Sequence, residues 1–65
     1  MNTNLRAARK ASGKTQEQVA KSIGISVQVY QRYEYGQNEP GARTAIRIAD
    51  VLGVKSYRDF KKIFN

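Results

Sequence analysis

The side chains able to do chemistry in this chain are few and one-sided. Twelve Lys and Arg stand against five Asp and Glu, with no His and no Cys, giving a formal net charge of +7. Without His or Cys, most nucleophile–base pairs and the soft-metal sites have no members. A Ser–Lys pair is formally possible, but 65 residues leave little room for a substrate pocket. No catalytic group, metal site or cofactor is therefore expected. The excess charge points outward, to an anionic partner. Charge alone does not choose among a nucleic acid, a membrane surface and an acidic protein.

The elements that carry these side chains follow from punctuation and periodicity. The length fits one domain, 1–65, near the lower limit for folding on its own core. With no disulfide or zinc staple, stability must come from apolar packing, which a 40% hydrophobic composition allows. No apolar run is long enough to span a membrane, and the opening stretch, Met1 to Arg6, lacks the apolar core of a secretory signal. Neither a membrane partner nor a small-molecule ligand is expected, and a cytoplasmic location is.

Gly13, Gly24, Gly36, Pro40-Gly41 and Gly53 cut the chain into five short helix-like segments. The first runs from Asn4 to Ser12, capped by Asn2, Thr3 or Asn4, with a thin apolar stripe of Leu5 and Ala8. The second runs from Thr15 to Ile23. Thr15 and Gln18 form a capping-box pattern, and Val19, Ala20 and Ile23 share one face. After a turn at Gly24, Ser26 caps a third helix, Val27 to Tyr35. On it Tyr30 and Tyr33 face inward, and Val27, Gln28, Gln31, Arg32 and Tyr35 lie on another face.

The fourth helix, Ala42 to Leu52, buries Ile46, Ile48, Ala49 and Leu52. The fifth, Tyr57 to Phe64, opens on a Ser56–Asp59 capping pattern. Its Tyr57, Phe60 and Phe64 read first as core packing, with a dimer interface beside the Gly53–Ser56 loop as the other assignment. No segment alternates with period two, so the fold class is all-α, a compact five-helix bundle.

The selective signal lies between Gln16 and Tyr35. Two short helices join at Gly24, with the small Ala20 four residues before it and apolar Val19, Ile23, Ile25, Tyr30 and Tyr33 around it. A small side chain lets steeply crossing helices approach, and the apolar set fixes their angle so that the second helix stands proud. The run Thr15-Gln16-Glu17-Gln18-Val19-Ala20, then Gly24-Ile25-Ser26, Tyr33-Glu34-Tyr35-Gly36 and Pro40 resembles the Cro/repressor-type (lambda-repressor-like, XRE) helix-turn-helix family. The resemblance extends from Leu5 to about Val54, with the helix-turn-helix unit at 16–35.

That resemblance implies a DNA-binding transcriptional regulator of phage or mobile-element type, nucleoid-associated or phage-encoded, without catalysis. It implies a homodimer, at least on DNA, bound to a palindromic double-stranded operator. Helix 27–35 then enters the major groove, with Ser26, Val27, Gln28, Gln31 and Arg32 contacting bases. Gln pairs bidentately with adenine, Arg with guanine, and Val touches a thymine methyl. Gln16, Tyr35, Gln37, Asn38, Arg43 and Thr44 match the phosphate-contacting positions. In the family the residue at Gln16 also braces the first residues of the recognition helix. Arg9 and Glu34 match an ion pair between helices one and three.

Two residues depart from the family pattern. Val27 stands where a polar residue is common. Tyr30 replaces an aliphatic core residue, so its ring is either buried with its hydroxyl on water or a partner, or partly exposed with the hydroxyl near a phosphate. Two other function classes fit the composition. One is a protein-interaction module on the same fold, such as an antitoxin or a coactivator-like bridge. The other is a basic binder of anionic membranes, which would need an apolar face that the core has already claimed.

Overall fold

The computed structural model describes residues 2–64. They form five helices and no strand: α1 (Thr3–Ala11), α2 (Gln16–Ile23), α3 (Val27–Tyr35), α4 (Ala42–Val51) and α5 (Tyr57–Phe64). The helix starts follow local capping chemistry. The Asn2 side chain accepts the Leu5 N–H, so α1 begins one residue earlier than the sequence suggests. Thr15 is the cap of α2 rather than its first residue. Its hydroxyl accepts from Gln18 N at 3.1 Å, and the Gln18 side chain accepts from Thr15 N at 2.8 Å. Ser26 and Ser56 accept in the same way from Val29 N and Asp59 N. Each such bond satisfies a backbone donor that the first helical turn leaves free.

The turn between α2 and α3 rests on Gly24, which sits at φ 75°. A side chain would be strained by that backbone angle, not by crowding, since no atom lies within 4 Å of a built Cβ. The turn allows Ile25 N to bond back to Ala20 O at 3.0 Å. Helix α4 ends at Val51, with Leu52 as its cap, one residue short of the sequence-based boundary.

Helix α2 packs on α3 and α4, and α1 packs on α3 and α5. The core is one cluster: Leu5, Val19, Ala20, Ile23, Tyr30, Ile48, Leu52 and Ile63. Ala20, 2% exposed, is the small residue that lets the crossing helices approach. Asparagine side chains fasten α1 to the end of α5. Asn2 Nδ2 donates to Ile63 O at 2.6 Å, and Asn4 Nδ2 to Lys62 O at 2.9 Å. These carbonyls belong to the last helical turn and have no partner within the helix.

Two assignments of the sequence reading to the core do not hold. Ile46 is 60% exposed and Tyr57 is 73% exposed. On α4 the inward stripe is Ala45, Ile48, Ala49 and Leu52. Ile46 lies just outside that stripe. On α5, Ile63 is buried while Phe60 and Phe64 are half-buried, their rings 5.1 Å apart.

Candidate nucleic-acid interface

Helix α3 has two faces of opposite character. The inner face carries Tyr30 and Glu34, both 0% exposed. They sit four residues apart, one above the other on the same side of the helix. The outer face carries Gln28, Arg32 and Tyr35, all exposed, with half-buried Gln31 beside them.

The inner face is a closed polar network centred on the Glu34 carboxylate. Arg9 Nε donates to Glu34 Oε2 at 2.6 Å, and the Tyr30 hydroxyl donates to the same oxygen at 2.7 Å. Gln16 Nε2 donates to Glu34 Oε1 at 3.1 Å, with a longer contact from the second Arg9 nitrogen at 3.5 Å. Another Arg9 nitrogen donates to Lys14 O at 2.9 Å. No buried side-chain polar atom among the described residues lacks a partner. That matters because a buried carboxylate is costly unless paired and hydrogen-bonded.

The titration behaviour follows from this geometry. Burial pushes the Glu34 carboxyl up, but the donors from Arg9, Tyr30 and Gln16 outweigh it and hold the group below its ordinary value. Arg9 is raised, first by its hydrogen bond to Glu34. Tyr30 is raised far above an ordinary phenol, chiefly by burial and then by the Glu34 hydrogen bond. The three groups are thus held as guanidinium, carboxylate and neutral phenol. Of the two alternatives for Tyr30, the buried ring with a partnered hydroxyl holds, and partial exposure does not, for the same reason. Its hydroxyl finds its partner one turn along the helix, so the ring can be fully buried.

The remaining residues singled out from sequence distribute as follows. Gln16 is half-buried and its bonds run to Glu34 and Gln31, not to the first residues of α3. Ser26 is exposed and uses its oxygen as the α3 cap. Val27 is half-buried and packs against the core cluster. Gln37 and Asn38 are exposed in the loop after α3, where their N–H groups bond to Arg32 O. Arg43 is exposed and Thr44 half-buried in the first turn of α4. Residues the sequence reading missed are Tyr30 as a polar partner and Lys14 as the carbonyl that holds the far side of Arg9. The Tyr30–Glu34 spacing is a helical i, i+4 pair, a signal that was present in the sequence.

A short α2–Gly turn–α3 unit, with α3 presenting a polar face and anchored by its inner face, defines a helix-turn-helix protein. Residues 5–58 match the family model described as helix-turn-helix. The chain belongs to the Cro/repressor-type (XRE) helix-turn-helix family, whose members are non-enzymatic transcriptional regulators.

Relatives include the cryptic phage CTXphi transcriptional repressor RstR of Vibrio cholerae, 46% identical over 71% of this chain and 41% of the relative. The SPbeta prophage-derived HTH-type regulator YonR of Bacillus subtilis is 35% identical over 80% of this chain and 48% of its own length. The HTH-type regulator YazB of the same organism is 42% identical over 80% of this chain and 75% of its own length. The chain thus spans less than half of the first two relatives. No solved structure gives a significant match.

Proposed function

We propose that this chain binds double-stranded DNA sequence-specifically, as a phage or mobile-element repressor does, by laying α3 in the major groove. The observation that carries this reading is the division of α3. Its inner polar groups are fully bonded internally, whereas Gln28 and Arg32 on the outer face are exposed and make no side-chain hydrogen bond within the described residues. An exposed Gln and Arg one turn apart form a reading face for adenine and guanine edges.

In this reading Ser26, Val27, Gln28, Gln31 and Arg32 meet the bases. Ser26 keeps its hydroxyl hydrogen for donation, since as a cap it only accepts. Val27 offers methyl surface, and part of its side chain is already committed to the core. Gln16, Tyr35, Gln37, Asn38, Arg43 and Thr44 meet the phosphate backbone and set the register. The unit 16–35 is the reading head within 1–65. Two copies bind a palindromic operator with recognition helices about 34 Å apart. Exposed Ile46 and Tyr57, beside half-buried Phe60 and Phe64, supply the apolar surface for that pairing.

The test is fluorescence anisotropy with labelled duplexes across a salt series. The reading predicts binding whose log affinity falls linearly with log salt, as counterions leave the phosphates. It also predicts a selected site bound about a thousandfold or more tightly than random duplex. A protein partner captured in high salt with no affinity for duplex would instead favour an interaction module on the same fold.

A further inference from the structure

The side-chain network reaches beyond Glu34 to the outer face of α3. Gln16 Nε2 donates to Glu34 Oε1, and Gln16 Oε1 accepts from Gln31 Nε2, both at 3.1 Å. Glu34, held as a carboxylate by Arg9 at 2.6 Å, can only accept. Gln16 must therefore turn its NH2 end to Glu34 and its oxygen to α3. Gln31 must in turn point its NH2 end at Gln16. Flipping either amide would set two acceptors face to face, one of them against a fully buried carboxylate. The Gln31 Oε1 takes part in no hydrogen bond among the described residues. Gln31 lies three residues from Gln28 and beside Arg32, on the face assigned to the groove.

We infer that Glu34 and Gln16 are positioning residues that fix the polarity of Gln31, so that its Oε1 faces the groove and selects a base carrying an exocyclic amine. This inference rests on the DNA-reading function proposed above. A freely rotating Gln can offer either end of its amide. With one N–H held by Gln16, the locked Gln31 presents its oxygen and one remaining N–H, so the N6 amine of adenine or the N4 amine of cytosine meets the oxygen, while guanine and thymine, which offer only acceptors there, are met by that single N–H alone. Gln16 keeps a second N–H after bonding Glu34, free for a phosphate oxygen. One relay thereby couples a backbone contact to a base contact, and both are referenced to a carboxylate buried under α3.

Two readouts test it. The first needs no DNA: the side-chain amide NMR signals of Gln31 in the free protein. In the wild type they should show hydrogen-bonded shifts and slowed solvent exchange. In Gln16→Leu they should return to the values of an exposed Gln, with Gln16→Met as a second variant should Leu disturb α2. The second readout is affinity for the selected operator with each of the four base pairs placed at the position where Gln31→Ala loses preference.

The wild type should favour the amine-bearing bases there by about two- to tenfold, the range of a single hydrogen bond. Gln16→Leu should lose that preference and keep those tied to Gln28 and Arg32. Exposed-type Gln31 signals in the wild type, a preference for keto bases, or a preference unchanged in Gln16→Leu would each overturn the relay. Uniform binding to all sequences would contradict the DNA-reading function itself, and the base assignment with it.

Discussion

The two sides of this protein solve the problem of a small core in opposite ways. Where α1, α2 and α3 meet, a charge is buried and every polar group is bonded: Glu34 takes donors from Arg9, Tyr30 and Gln16. On the side that carries α4 and α5, apolar groups are left open: Ile46 is 60% exposed and Tyr57 73%. The first arrangement fixes the position of α3 with directional bonds, which a few aliphatic contacts would do less specifically. The second leaves a surface whose burial requires another molecule. In the proposed function, the first side positions the reading helix and the second supplies the pairing surface.

The polar side is most vulnerable at Arg9. Arg9→Ala leaves Glu34 buried without its counter-charge and should cost roughly 3–5 kcal/mol in denaturant unfolding. Replacing the cluster by apolar groups, as Arg9→Met, Glu34→Leu and Tyr30→Phe together, should cost clearly less than Arg9→Ala alone. A triple variant as unstable as Arg9→Ala would show that the polar bonds themselves, and not the stranded charge, dominate.

Acid titration probes the same network. The folded-state pKa of Glu34 is depressed, so the folded form holds the carboxylate at pH values where the unfolded chain takes up a proton. Its contribution is present above the ordinary Glu value of about 4.3 and is lost as pH falls through the lower folded value. At the alkaline end, the raised Tyr30 pKa means stability falls as pH rises past about 10, where an unfolded phenol ionises first. Thermal melts across both windows should show these slopes in the wild type and flattened slopes in the triple variant.

A smaller effect separates the two faces of α3. Arg32→Ala or Gln28→Ala should cost about 1–3 kcal/mol of operator binding and relax preference at one base position, with the melting temperature unchanged. Equal losses on random duplex would reduce these side chains to phosphate contacts. The smallest stability effect belongs to the other side. Ile46→Ser should shift unfolding by within about 0.5 kcal/mol, since the side chain is mostly in water already. Sedimentation should show weaker self-association, or cooperative operator binding should fall. A large stability loss would place Ile46 in the fold after all.

The sequence reveals the elements well where structure is local. Thr15 with Gln18, Ser26 and Ser56 act as caps, and Gly24 takes the positive φ its position requires. These depend on neighbours within four residues. The errors arise where the answer depends on packing between elements. Ile46 reads as core because an apolar stripe on α4 gives no indication of how wide its cover is.

The Tyr30 hydroxyl meets its partner one turn away at Glu34, an i, i+4 spacing that is present in the sequence. The Gln16–Gln31 bond joins residues 15 apart and follows from the crossing geometry of α2 and α3, which no periodicity states.

Reading of DNA by the outer face of α3, as proposed, is tested by selection of bound duplexes from a random pool, run in parallel for the wild type and Arg32→Ala. The expected result is a palindromic motif with half-sites about 10 base pairs apart, from which Arg32→Ala loses enrichment at one position in each half-site. A wild-type pool with no enriched motif, or a motif unaltered by Arg32→Ala and by Gln28→Ala alike, would contradict it.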